Sequence, residues 1–345
     1  MRALSQALYG DSPALRLMRP LGWLTMTINS LRRQLYSQGL LSSHQANAPV
    51  ISIGNITVGG NRKTPLAAWL AESLLACGYH PAILSRGYGR KKFHPLAQTL
   101  LVSSGQGPLH PPEETGDEPY LLANQTRARV VTASDRARAA RLAESLGSDL
   151  LILDDGFQHL RLRRDLDILA LSGENPFGNG QVLPAGPLRE SLATGARADL
   201  VVASLDCPQN PWNLPQFAAR LRLDGLKALG EIFSLTVPQA QQTRLAAFCG
   251  LAKPWEFQKS LREWGLEPVV FRAFPDHANY GPAEREELKK LLICSRSQWL
   301  ITTSKDAVKL AALRLPVLVA ETSLAPEEPE RLMSFILSLL RARGF

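Results

Sequence analysis

From residue 49 onward the chain alternates short apolar runs with stretches of helical period. Val50 to Ile53, Ala82 to Leu84, Arg129 to Thr132, Asp149 to Leu153, Ile168 to Leu171 and Leu200 to Ala203 read as strands. Helical spacing fills two of the intervals, from Pro65 to Cys77, closed by Gly78, and from Asp135 to Ser145, capped by Ser134. Apolar runs without polar alternation fit strands buried on both faces, and strand–helix alternation predicts a parallel, doubly wound sheet. In such sheets ligands bind at the carboxyl ends of strands, so motifs placed there carry extra weight. Residues 207–215, with three prolines, mark a loop, and Glu231 to Val237 reads as an extended connector. A second α/β series then follows, with strands Leu245 to Phe248, Pro268 to Phe271, Trp299 to Thr303 and Val317 to Ala320. Its helices are Trp255 to Trp264, Ala283 to Leu292 and Glu327 to Ala342.

The pattern before residue 49 is different. Ala14, Leu17, Leu21, Leu24, Ile28, Leu31 and Leu35 recur at spacings of three and four, one apolar stripe of a helix, with Trp23 and Met26 beside it. The first 35 residues hold five arginines, one aspartate and no lysine. The longest charge-free run, Pro20 to Leu31, is 12 residues, whereas a bilayer span needs about 20. A basic amphipathic helix of this kind fits an anionic membrane surface, and equally a helix packed on its own domain. Ala46-Asn47-Ala48 mimics a signal-peptide cleavage site, but Arg32 and Arg33 lie between it and the apolar run, so no signal peptide is expected.

At 345 residues and 45% apolar, the chain is too long for one ordinary core, and two domains are expected. The divisions are a basic amphipathic surface helix over 1–40, a nucleotide-binding domain over 48–230 and a smaller α/β domain over 240–345. The formal charge of +8 points to an anionic partner. Nucleic acid fits poorly, because aromatic residues are sparse and no stacking platform is visible. Cys77, Cys207, Cys249 and Cys294 show no C-x-x-C spacing; they read as buried thiols in a reducing compartment.

The candidate chemistry falls on predicted loops. "GNITVGGNRKTP" (54–65) lies between a strand and a helix and nearly matches G-x-x-x-x-G-K-[ST], with Thr57 and Arg62 in place of its glycines. Backbone N–H groups at such a helix start bind phosphate oxygens; Lys63 neutralises outer phosphates, and the Thr64 hydroxyl suits Mg²⁺. The plain alternative is a glycine-rich turn. "LLILDDGFQH" ends an apolar strand in Asp154-Asp155, where a nucleotide enzyme holds Mg²⁺ or its water. "TGDEP" offers Asp117 and Glu118, and "SRGYGRKK" offers Arg86, Tyr88, Arg90, Lys91 and Lys92 for a second phosphate or an anionic headgroup. Solvated surface loops explain these two stretches equally well. "FPDHANY" and "TTSKDAVKL" follow strands of the second series.

In order along the chain, "SIGNITVGGNRKTP", "LSRGYGR", "GDEP", "ILDDGFQH", "LPAGPLRE", "FPDH" and "TTSKDAVK" resemble the tetraacyldisaccharide 4′-kinases, which phosphorylate the lipid A precursor in lipopolysaccharide biosynthesis of Gram-negative bacteria. The resemblance implies two α/β/α domains, the first with a phosphate loop, joined by a strand-like linker, with the active site in the cleft between them. It implies ATP and Mg²⁺ as cofactors and a peripheral position on the cytoplasmic face of the inner membrane. Thr57, Val58, Gly59, Gly60, Asn61, Arg62, Lys63 and Thr64 then form the nucleotide loop, and Thr64, Glu118, Asp154 and Asp155 the metal region. Asp117 matches the catalytic base and His277 the histidine paired with it. Arg86, Tyr88, His159, Arg189 and Glu190 match positions expected at the phosphorylated disaccharide. The one departure is Arg62, which stands where the family usually has glycine. It gives up backbone freedom and brings a cation near a polyanion. The other readings are a nucleotide-dependent membrane adaptor that no longer turns over, and a P-loop GTPase, for which no N-K-x-D motif is present.

Overall fold

The apolar runs form strands buried on both faces. The structure, a computed structural model, describes residues 9–10, 12–59, 62–90, 99–310 and 313–345. The chain divides into two compact units. The larger runs to Arg220 and takes in Leu324–Phe345; the smaller is Leu221–Ser323.

In the larger unit, helices α1 (Pro13–Leu17) and α2 (Arg19–Ser37) precede the sheet. Its strands are β1 (Val50–Gly54), β2 (Pro81–Ser85), β3 (Thr99–Ser103), β4 (Arg129–Ala133), β5 (Leu150–Asp154), β6 (Leu166–Leu171) and β7 (Leu200–Ala203). Between them lie α3 (Lys63–Ala76), α4 (Pro112–Thr115), α5 (Asp117–Gln125) and α6 (Arg136–Ser145). The long strand β8 (Gln216–Ala228) begins in this unit. The strand order is β8-β7-β6-β1-β5-β2-β4-β3, parallel except for β3, which runs antiparallel to β4. Strand β3 escapes the sequence pattern because it is an edge strand with only its last two residues buried.

Successive residues of each strand point to opposite faces, so this sheet has two cores. Leu84, Val131, Leu151 and Leu153 pack with Ala139, Ala140 and Ala143 of α6 on one side. Leu169, Leu171 and Val201 pack with Ile56, Phe157 and Leu188 farther along the same face, and Ile51, Ile53, Ile83 and Ile152 are buried on the opposite one. The cap of α6 is Asp135, which accepts from the Ala137 N–H at 3.1 Å, and not the expected Ser134. The register sets Ile53 of β1 beside Asp154 of β5. The two loops that follow these strands therefore emerge side by side.

Helix α2 turns its apolar stripe outward: Leu21, Leu24 and Ile28 are 53%, 56% and 57% exposed. Its polar face packs on the unit. Gly22 lies against the Val182 carbonyl, where a Cβ would come within 2.9 Å. Asn29 donates to the Arg189 carbonyl, and Arg33 pairs with Glu190. Among the described residues, no helix is long and apolar enough to cross a membrane.

In the smaller unit β8 continues and is flanked antiparallel by β9 (Ser234–Leu235). Then come α7 (Val237–Gln241), β10 (Leu245–Cys249), α8 (Pro254–Glu263), β11 (Val270–Ala273), α9 (Pro282–Cys294), β12 (Trp299–Thr303), α10 (Ser304–Ala307) and β13 (Val317–Pro326). Strands β11-β10-β12-β13 form a parallel array. Alternate residues of β10 again serve two cores, Ala246 and Phe248 in one, Leu245, Ala247 and Cys249 in the other. The division differs from the expected boundary at the C-terminus, because α11 (Pro329–Ala342) belongs to the larger unit. Phe335 meets Phe217 with ring centroids 5.6 Å apart, and Arg343 pairs with Asp199. Of the four cysteines, all free, only Cys249 is buried; Cys77 and Cys294 are exposed, against the expectation of four buried thiols.

Candidate active site

The loop from β1 to α3 is held from beside by the segment 187–189. The Val58 N–H donates to the Pro187 carbonyl at 2.8 Å, and the Arg189 N–H to the Ile56 carbonyl at 2.7 Å. Thr57 is fully buried and its hydroxyl accepts from Asn55 Nδ2 at 3.3 Å, so its side chain serves the interior. Gly59 has φ 104°; Gly60 and Asn61 lie outside the described residues. Arg62 caps the helix with φ 59° and ψ 22°, the left-handed conformation that glycine adopts freely. Its guanidinium turns toward β8, where Nη1 donates to the Ala219 carbonyl at 3.4 Å. Lys63 and Thr64 are the first residues of α3, which starts earlier than the expected Pro65. Helix-start N–H groups have no partner within the helix and, with the helix dipole, favour an anion there.

Asp154 ends β5, and Asp155 follows with φ 53°, a conformation that aspartate tolerates better than most residues. Lys63 Nζ lies 2.8 Å from Asp155 and 3.3 Å from Asn55 Oδ1. Arg189 Nη1 reaches both Asp155 oxygens, at 3.0 and 2.9 Å. Burial alone would push the Asp155 carboxyl up, but the Lys63 and Arg189 cations outweigh it and hold it well below the usual carboxylate range. Asp154 is the opposite case. It is 2% exposed, and neither oxygen has a hydrogen-bond partner. Burial first, then the charges of Glu118 and Asp155, push it up to about 7.

A buried carboxylate with two unused oxygens at the tip of the strand beside the phosphate loop fits Mg²⁺. This ion takes one or two carboxylates and fills its shell with water and phosphate oxygens. Among the described residues, no group of three or more Asp, Glu, His or Cys is placed to hold a metal ion. Asp154, on whose carboxyl the charges of Glu118 and Asp155 act, is the residue with oxygens free for such an ion.

Asp117 and Glu118 stand in the first turn of α5 and not in a loop as expected. Gly116 before them has φ 90°, and a Cβ there would come 2.7 Å from the Tyr88 carbonyl. The "GDEP" and "SRGYG" stretches thus lie backbone against backbone. Arg86 and Tyr88 are exposed beside them.

Two expected substrate positions turn out otherwise. Glu190 is 5% exposed and paired with Arg33 at 2.9 Å and Arg197 at 3.8 Å, so its charge is spent inside the fold. His159 Nε2 is buried without a partner. Burial, then the charge of Arg136, lower its pKa to about 4, so the imidazole is neutral at pH 7.

Sequence reasoning missed three members of the site. Asn55 bridges Lys63 and Thr57, and its carbonyl accepts from Gln158 at 2.8 Å. Gln158 in turn accepts from Arg189 at 3.3 Å. Arg136, in the first turn of α6, is 5% exposed, and Asp154 and Asp155 both act on its charge. Its position as first residue after the cap, at the carboxyl end of β4, is the signal that could have found it.

In the smaller unit His277 follows β11 with φ 59°. Its N–H donates to the Gly250 carbonyl at 3.3 Å, and its Nε2 is 3.5 Å from Lys305 Nζ and 3.9 Å from Asp276. Lys305 and Asp276 pair at 3.2 Å. Beneath this loop Asp306, 3% exposed, accepts from the Gly250 N–H, Tyr280 Oη and Thr303 Oγ1.

A phosphate loop facing paired aspartates at the neighbouring strand end is common to many nucleotide enzymes, and relatives narrow it. The family model described as LpxK, tetraacyldisaccharide-1-P 4′-kinase, matches residues 14–341. A tetraacyldisaccharide 4′-kinase of Pelobacter propionicus is 40% identical over 342 residues, covering 96% of this chain and 94% of its own. That of Gluconobacter oxydans is 39% identical over 334 residues, covering 95% of each. A crystal structure of LpxK from Aquifex aeolicus in complex with ATP superposes with a TM-score of 0.76 at 32% identity, covering 94% of this chain and 99% of that one. With a match of this extent in sequence and in fold, the chain belongs to the tetraacyldisaccharide 4′-kinase family.

Proposed function

We propose that the protein transfers the γ-phosphoryl group of ATP to the 4′-hydroxyl of a tetraacyldisaccharide 1-phosphate, the lipid A precursor, at the cytoplasmic face of the inner membrane. The observation that carries the reading is Lys63, at the start of α3, held 2.8 Å from Asp155 with the orphaned Asp154 carboxylate beside it. Lys63 and the N–H groups of the first turn of α3 bind and orient the polyphosphate. Asp154, Asp155, Glu118 and Thr64 would hold Mg²⁺, which would supply charge neutralisation on the transferring group. Asp117 accepts the proton of the sugar hydroxyl, a poor nucleophile until deprotonated. Removing Asp117 then lowers kcat severely with ATP binding little changed. Arg86 and Tyr88 meet the phosphorylated disaccharide. The outward apolar stripe of α2 lies in the membrane surface, and its basic residues meet anionic headgroups.

The test is direct. The protein, labelled ATP, Mg²⁺ and the disaccharide lipid are mixed and the lipid fraction is counted. Labelled lipid is the expected result. ATP binding without labelled lipid would identify a nucleotide-dependent adaptor instead.

A further inference from the structure

Two inward polar contacts of α2 end on consecutive residues, Arg189 and Glu190. Asn29 Nδ2 donates to the Arg189 carbonyl at 2.9 Å, and Arg33 Nη1 donates to Glu190 Oε2 at 2.9 Å. The rest of Arg189 is committed to the phosphate loop and to the residues just past β5. Its N–H is bound by the Ile56 carbonyl, and its guanidinium grips Asp155, the partner of Lys63. Arg189 is thus pinned from α2 through its C=O and from the loop through its N–H. The Arg33–Glu190 side chains are 24% and 7% exposed, so the pair is partly withdrawn from water and more directional than a surface pair. Arg197, 3.8 Å from the same carboxylate oxygen, keeps Glu190 neutralised when Arg33 is lost. Loss of Arg33 therefore shifts geometry without leaving a bare buried charge.

We propose that Asn29 and Arg33 are positioning residues of the phosphoryl-transfer site. From the helix whose opposite face is apolar and exposed, they fix the Arg189–Glu190 segment, and Arg189 in turn fixes Asp155 against Lys63. Sub-ångström placement of such groups governs rate more than affinity. The inference rests on the proposed role of the Lys63–Asp155–Arg189 group, and the experiment separates the two. The full chain is assayed in nonionic detergent micelles saturated with the disaccharide lipid, so that membrane capture does not limit the rate. The variants are Asn29→Ala/Arg33→Met, Arg33→Lys, Arg189→Ala and the triple combination.

The expected result has four parts. Asn29→Ala/Arg33→Met lowers kcat about tenfold, and its KM for ATP changes less than twofold. Arg33→Lys recovers most of the rate. In the Arg189→Ala background the double substitution adds no further loss, because residues acting through one another are not additive. Multiplied losses in the triple variant would overturn the inference, as would unchanged kcat in the double variant when Arg189→Ala is impaired. Full turnover in Arg189→Ala itself would overturn the site reading together with it.

Discussion

Lys63 and Asp155 form an ion pair of 2.8 Å between the first residue of α3 and the residue just past β5. They are brought together by one feature of the topology, the parallel pairing of β1 with β5 that aligns Ile53 with Asp154. The lysine side chain is 11% exposed and rests on a carboxylate and an amide oxygen, Asn55 Oδ1. Its ammonium is therefore held at the helix start before any phosphate arrives, which reduces the reorganisation needed during transfer.

Lys63→Ala should lower kcat by a few kcal/mol of transition-state stabilisation, on the order of a hundredfold or more. The same variant removes the leading cation that holds the Asp155 carboxyl down. Carbon-13 titration of the Asp155 carboxyl should accordingly show its pKa rising. Near-normal turnover in Lys63→Ala would refute the phosphate-loop assignment.

The Asp154 carboxyl gives a pH signature. Its pKa stands at about 7 in the folded chain against 3.8 for the free group, so the folded state holds a proton that the unfolded state has released between those values. The stabilisation it contributes is full below the unfolded value and is lost as pH rises through about 7. Asp154→Asn, which mimics the protonated form, should flatten this part of the melting-temperature profile. Binding of Mg²⁺ and ATP at pH 6 should release nearly one proton from Asp154. Calorimetry would read this as a heat that varies with the ionisation enthalpy of the buffer. A buffer-independent heat in the parent protein would show that Asp154 does not receive the ion.

Most of the framework was legible because it depends on local patterns. The runs at 50–53 and 150–153 place apolar residues on both faces, and a parallel sheet follows from that. Lys63, Thr64, Asp154 and Asp155 stand out in the sequence because they end or follow apolar runs. What the sequence hid depends on long-range packing. Asn55 and Gln158 lie inside quoted motifs, yet their roles appear only once β1 and β5 are neighbours. Glu190 reads as a site acid from its motif, and only the fold reveals Arg33 and Arg197 beside it. The stripe on α2 told that one face is apolar, but not which face packs. The inward positions Gly22, Asn29 and Arg33 are small or polar and carry no hydrophobic signal.

That outward stripe can be tested without disturbing the fold. Leu21, Leu24 and Ile28 are each more than half exposed, so Leu21→Ser, Leu24→Ser and Ile28→Ser together should leave the melting temperature unchanged. Each side chain transferred from water into lipid contributes about 1.5 kcal/mol or more. Affinity for phosphatidylglycerol vesicles, followed by co-sedimentation, should fall on the order of a hundredfold or more. A fall in melting temperature with unchanged vesicle binding would mean that the stripe packs against protein.

Arg62 poses the last test, because two effects at one residue pull apart. Its left-handed backbone, φ 59° and ψ 22°, is strained by roughly 1–2 kcal/mol for any residue with a Cβ. Glycine at this position would remove that strain. Its side chain gives little back: Nη1 reaches the Ala219 carbonyl only at 3.4 Å, and Nε is buried without a partner. Because the guanidinium is directed to β8, the prediction is that it adds no cation to the nucleotide. Arg62→Gly should therefore stabilise the chain by about 1 kcal/mol relative to Arg62→Ala, which keeps the strain and loses the bond to Ala219. ATP affinity should agree within about twofold among the parent and both variants. The outcome that reverses this is a tenfold loss of ATP affinity in both variants, shrinking at high salt. Only a guanidinium that leaves Ala219 for the polyphosphate would produce it, since removal of the charge, and not the backbone change, is what the two variants share.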